Sequence, residues 1–151
     1  MYVLKDDNKI QVSTSLIIDA SPEKIWSVLS DIENWKNWTQ FIASFTGDFI
    51  KGGRIKVVFN TPQGQVPFDR TLVIFEENKV FCWEGNAMWP GAKDHHVLHL
   101  EAIENGKTLF THADGFHGIE RTEQVTEAEK QMEGLYTLMN LELKNYVENT
   151  I

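Results

Sequence analysis

The chain has 151 residues, 42% hydrophobic and 24% charged, with 10 Gly and 4 Pro, a composition that excludes a fibrous or disordered chain and fits one globular domain over residues 1–151. Its 14 Lys and Arg against 22 Asp and Glu give a net charge of −8, a field that repels phosphate backbones and anionic headgroups and excludes nucleic acid as an expected partner. The single cysteine, Cys82, rules out an internal disulfide and a Cys-rich zinc site. With no apolar h-region in MYVLKDDNK and no charge-free apolar run near ~18 residues, the expectation is a cytoplasmic protein without stable membrane insertion.

Alternation from Ile10 to Ile18 predicts a strand that ends at DASP. Ser21 then stands at an N-cap position, Pro22 at the first helical position and Glu23 in the first turn, which predicts a helix over Pro22 to Ser30. Asp31 is placed to cap a second short turn carrying Ile32, Trp35 and Trp38. Six strand-like segments follow: Ala43 to Ile50, Arg54 to Asn60, Val66 to Phe75, Lys79 to Gly85, Asp94 to Ile103 and Thr108 to Phe116. The connections KGG, TPQGQ, Glu77-Asn78, NAMWPGAK and ENGK are rich in turn residues, so the pattern is an antiparallel meander. From Thr122 to Asn149 there is no Pro and one Gly, and Val125, Ala128, Met132, Leu135, Met139, Leu143, Tyr146 and Val147 recur at helical spacing. This predicts one amphipathic helix of about 40 Å, long enough to cross a seven-stranded sheet.

These segments resemble the START-like (Bet v 1-like, SRPBCC) superfamily of helix-grip proteins, in particular the branch that joins polyketide cyclases and dehydrases with a small protein of the carbon monoxide dehydrogenase system. The resemblance is carried by DASPEKIWSVLSDIENWKNW, the glycines from Gly47 to Gly53, FDRTLVIFEENKVFCWEG, His96 to Leu100, and GKTLFTHADGFHG before the last helix. It implies an α+β helix-grip fold: a curved seven-stranded antiparallel sheet gripping a long C-terminal helix, with two short helices after the first strand and an apolar cavity between sheet and helix. It does not imply one reaction.

Side chains alternate across a strand, so placing one residue places its neighbours. If Phe110 and Phe116 face the cavity, His112 and Asp114 face it with them. The resemblance turns the face of His96, Leu98 and Leu100 inward, which sends His95 and His99 toward solvent. Phe81 and Trp83 share one face of their strand; Phe68, Arg70, Leu72 and Ile74 share one face of theirs. Met132, Leu135, Tyr136 and Met139 complete the floor from the helix. Trp89, in a loop between Met88 and Pro90, is placed either in the core or at the cavity entrance.

Two functions are consistent with this arrangement. One is binding of a small hydrophobic or amphipathic molecule (a lipid, an isoprenoid or an aromatic polyketide-like compound), with His96, His112 or Asp114 holding its polar end. The other is a cyclase or dehydratase in which His96, His112 or Asp114 acts as acid or base and Asp or Arg70 steadies the charge that develops. An interaction module would instead need an exposed apolar surface. Leu138 and Leu141 lie off the helical stripe, which leaves them to pack under loops or to form a homodimer contact. No phosphate loop, H-E-x-x-H or G-x-S-x-G occurs, and no cofactor is expected. On a strand, His95 and His96 of DHHVLH point to opposite faces and His95 and His99 stand ~13 Å apart, so this run does not chelate a metal. Cys82 has no cationic neighbour in sequence and is assigned to packing.

Overall fold

Strand β1 (Ile10–Ile18) alternates buried and exposed side chains, and the computed structural model describes residues 2–4 and 10–150. Helix α1 (Pro22–Ser30) begins where Ser21 Oγ accepts the Lys24 amide at 3.2 Å, and it buries Ile25, Trp26 and Leu29. Asp31 precedes the next turn, but its φ of −82° and ψ of 71° lie outside the extended conformation a capping residue adopts, and its side chain caps nothing. The chain instead makes a 3-10 turn over Ile32–Asn34 that runs into the single-turn helix α2 (Trp35–Trp38).

The meander comprises β2 (Ile42–Gly47), β3 (Arg54–Thr61), β4 (Gly64–Glu76), β5 (Val80–Asn86), β6 (Lys93–Ala102) and β7 (Thr108–His117). The connection expected over TPQGQ is shorter than its residues suggest. Thr61 pairs with Gly64, leaving Pro62 and Gln63 as the turn, and Gly64 takes the left-handed φ of 114° that closes it. Helix α3 (Glu123–Asn149) starts where Thr122 Oγ1 accepts the Val125 amide at 3.2 Å. The sheet order is β1-β7-β6-β5-β4-β3-β2, every neighbouring pair antiparallel. A seven-stranded sheet gripping one long helix is the helix-grip architecture.

The concave face is filled at one end and open at the other. At the filled end, Trp26, Trp35, Phe45 and Phe81 pack with Met139, Leu143 and Val147 from the second half of α3. Their rings meet edge to face, as Trp35 does with Phe45 at 4.8 Å and 75°, the arrangement aromatic quadrupoles favour. The first half of α3 leaves this core and passes over the other end of the sheet.

One expectation about the sheet is overturned. Ile74 does not share a face with Leu72, because the β4–β5 register shifts between Leu72 and Ile74. A bulge inserts one residue and reverses the alternation beyond it. Leu72 therefore enters the concave core, whereas Ile74 packs with Leu4, Val80, Cys82, Val97 and Ala113 on the convex face. His95 and His99 do lie on that convex face, but not free in water: His95 Nδ1 meets Glu84 Oε2 at 2.6 Å, and the His99 ring lies against Tyr2 with centroids 5.3 Å apart.

Candidate functional site

The open end of the concave face holds a cavity of about 190 Å³. Its walls come from the β3–β4 hairpin (Val57, Phe59, Val66, Phe68), the β5–β6 loop (Ala87, Met88, Trp89), Trp83 of β5, Phe116 of β7, and Met132 and Leu135 of α3. Strand alternation and the helical stripe both deliver apolar side chains here, so the walls are almost wholly apolar. Polar groups gather in one place, where Arg70 of β4, Asp94 and His96 of β6, Asp114 of β7 and Tyr136 of α3 border the same space.

Arg70 reaches this point because β5 carries a glycine beside it. A Cβ at Gly85 would stand 2.6 Å from Arg70 Cδ and 2.9 Å from the Asp69 carbonyl oxygen. With that space free, Arg70 Nε approaches Asp94 Oδ1 at 3.0 Å, Nη1 donates to the Asp69 carbonyl at 2.9 Å, and the guanidinium carbon lies 4.7 Å from the centre of the Phe68 ring. The ion pair is buried on both sides, yet its approach is too oblique for an aligned hydrogen bond, so Nε and Oδ1 have no aligned partner.

Beside this pair runs a chain of hydrogen bonds whose direction is set at its far end. Thr14 Oγ1 donates to the His112 carbonyl at 2.8 Å and so accepts from Asn140 Nδ2, also at 2.8 Å. Asn140 therefore turns Oδ1 toward His112 Nδ1, 2.9 Å away, which must carry a proton to donate. Burial and the neighbouring His96 hold His112 well below the usual imidazole range, so the ring is neutral and its Nε2 is an acceptor. That nitrogen is 2.7 Å from His96 Nε2, which must donate. Burial lowers His96 to about 4, so this ring too is neutral and Nδ1 is its bare nitrogen. His96 Nδ1 lies 3.2 Å from Asp114 Oδ2, and two acceptors at that distance need a proton between them.

Asp114 supplies that proton. Burial pushes its carboxyl up to about 7, against weaker opposing effects of the Tyr136 hydrogen bond, Arg70 and His95. Burial and Asp114 likewise push Asp94 up to about 7, with Arg70 working the other way. Two carboxyls so close do not both ionise; Asp94, in contact with the guanidinium, carries the charge and Asp114 keeps the proton. Tyr136 OH donates to Asp114 Oδ2 at 2.9 Å, and Asp114 Oδ1, buried on the same wall, has no aligned partner.

Of the residues nominated from sequence, Trp83, Trp89, His96, Asp114, Phe116, Met132, Leu135 and Tyr136 border the cavity. Leu98, Phe110 and Met139 do not: they are buried in the filled end of the core. His112 is inward and buried, but Asn140 and His96 take both its ring nitrogens, so it stands behind the wall. Trp89 is half-buried, edge-on to Phe116 at 5.3 Å and 82°, and closes one side of the mouth. Arg70, Asp94 and Asn140 were not nominated as ligand-binding residues. Asp94 lies two residues before His96 on the same strand face, a signal that alternation carries, whereas the placement of Arg70 depends on Gly85. Donor atoms of Asp94, His96 and Asp114 lie within 4.8 Å of one another. The same space already holds the Arg70 cation and the shared Asp114–His96 proton, which a metal ion would have to displace. Cys82, on the other side of the sheet, is buried beside His95, and burial raises its thiol far above the ordinary range, which keeps it protonated.

Fold and site together define a helix-grip protein with a small apolar pocket. Residues 9–148 match the family model for polyketide cyclase / dehydrase and lipid transport, and the chain belongs to that family. A START superfamily protein from Mycobacterium smegmatis superposes with a TM-score of 0.73 at 15% identity, over 91% of this chain and 97% of that one. The di-domain ARO/CYC protein BexL from the BE-7585A biosynthetic pathway superposes with a TM-score of 0.76 at 8% identity, over 91% of this chain and 46% of that one. The hypothetical protein jhp0584 from Helicobacter pylori gives a TM-score of 0.74 at 15% identity, over 97% of both chains. At these identities the likeness is one of fold. A comparison with curated proteins finds no match.

Proposed function

We propose that the protein binds one small, largely apolar molecule between the sheet and α3, with the polar end of that molecule among Arg70, Asp94, His96 and Asp114. The observation that carries this reading is the contrast within one cavity, where apolar walls surround a single cluster of buried polar groups with unmet hydrogen-bonding capacity. Size narrows the ligand. A cavity of about 150 Å³ takes a benzene ring, so about 190 Å³ suits one substituted ring or a short branched chain. A two-chain lipid or a full polycyclic polyketide would need the mouth to open. The test is quenching of tryptophan fluorescence by para-propylphenol, since Trp83 and Trp89 both border the cavity. Saturable quenching at one site supports the reading; no saturable change at millimolar probe contradicts it.

A second reading, a cyclase or dehydratase, is favoured by one feature, the proton shared by Asp114 and His96 at the cavity wall. An acid held neutral at physiological pH is suited to protonating a leaving hydroxyl. Loss of water from a cyclic β-hydroxyketone, abolished by Asp114→Asn, would support it; binding without turnover leaves the first reading alone.

A further inference from the structure

Arg70 is the one cation among the described residues that border the cavity, and Asp94 is in contact with it at 3.0 Å. The charges of this pair cancel. His96 and Tyr136 are neutral, and Asp114 holds its proton because His96 Nδ1, bare as the Asn140–His112–His96 chain requires, faces Asp114 Oδ2. The polar end of the cavity therefore sums to zero charge, and no positive charge is left over for an anion. What the wall does offer is an acceptor, Asp114 Oδ1, and a donor, Arg70 Nε, both buried and both without an aligned partner. One group satisfies both: a hydroxyl, which donates its proton to Oδ1 and accepts from Nε.

We propose that the pocket selects small neutral molecules whose polar end is a hydroxyl (a phenol, an enol or an alcohol) and rejects the matching carboxylates. Asp94 is the residue that sets this selectivity. A bound carboxylate would stand beside the Asp94 carboxylate and the lone pairs of Asp114 Oδ1 in a site without water to screen them, and like charges brought together in this way are strongly disfavoured. Removing the Asp94 charge while keeping its shape frees Arg70 to receive an anion, and the preference turns round. This inference rests on the reading that the cavity takes up a small apolar molecule.

The experiment is a pair of calorimetric titrations at neutral pH with para-propylphenol, which is neutral there, and para-propylbenzoate, which is an anion. The unaltered chain is expected to prefer the phenol by about tenfold or more. Asp94→Asn is expected to tighten benzoate binding about tenfold, so that the preference is lost or reversed. Equal or tighter binding of benzoate by the unaltered chain would overturn the proposal while leaving the binding function standing. Binding of neither probe would overturn both. An Asp94→Asn chain that folds, by circular dichroism, and keeps the original preference would overturn the assignment to Asp94. Because the first comparison uses the unaltered chain, it is decisive even where the variant fails to fold.

Discussion

Gly85 is the residue on which the polar end of the cavity turns. It has no left-handed φ to explain it; its role is to leave empty the volume that Arg70 crosses. Gly85→Ala sets a methyl group 2.6 Å from Arg70 Cδ and 2.9 Å from the Asp69 carbonyl, and the carbonyl, being backbone, does not yield. The expected outcome is a loss of about 1–3 kcal/mol in urea denaturation, with Arg70 displaced from Asp94. Titration behaviour tests the proton assignment. Asp114, raised to about 7, keeps in the folded state a proton that an unfolded carboxyl releases near ~4. It thus favours the folded state below that range, and this contribution falls as pH rises from ~4 to ~7. His96, lowered to about 4, does the reverse, because the unfolded ring holds an extra proton up to ~6.5, so its contribution to stability rises with pH over ~4 to ~6.5. The two oppose each other. Asp114→Asn removes the falling contribution, and the slope of stability against pH in that window is expected to become more positive by up to about 1.4 kcal/mol per pH unit. An unchanged slope would mean that Asp114 is ionised throughout. Little of this was legible beforehand. Alternation put His96, His112 and Asp114 on inward faces, but which nitrogen carries a proton is decided by Asn140, a residue whose polarity disguised its position on the buried stripe between Tyr136 and Leu143.

At the scale of elements, α3 is attached to the sheet differently along its length. Its second half is held by apolar packing of Met139, Leu143 and Val147, whereas Asn140 and Tyr136 fasten it through hydrogen bonds to Thr14, His112 and Asp114. Asn140→Leu keeps the helix propensity and nearly the volume but strands buried donors and acceptors on Thr14 and His112. It is expected to cost about 2–4 kcal/mol in chemical denaturation, since several buried partners are lost at once. It should also release His112 Nδ1, detectable as a changed imidazole nitrogen shift in NMR. The elements themselves were plain in the sequence. N-capping hydroxyls at Ser21 and Thr122 and period-two alternation placed helices and strands within a few residues of their observed ends. The β4 bulge was not, because an inserted residue leaves no compositional mark where both flanking side chains, Leu72 and Ile74, are apolar and each face of the sheet offers an apolar cluster. For the same reason Ile74 was assigned to the wrong face.

Over the whole molecule, one sheet serves two purposes. Tryptophans and phenylalanines from α1, α2 and the strands fill one end and supply the packing, which lets the other end remain open. The division explains why Leu98, Phe110 and Met139, apolar and inward as expected, nevertheless fall outside the cavity: periodicity gives the face a side chain occupies, but not its depth along the groove. Leu138 and Leu141, half-exposed on the outer side of α3, belong to neither end. The central claim is that a small molecule occupies the open end, and the most direct test is to close it. Leu135 borders the cavity from α3, and Leu135→Trp places an indole into the space where the ring of a ligand would lie. Calorimetric titration of para-propylphenol is expected to show one site in the unaltered chain and at least about tenfold weaker binding in the folded variant. Equal affinity in both would place the ligand elsewhere and contradict the account.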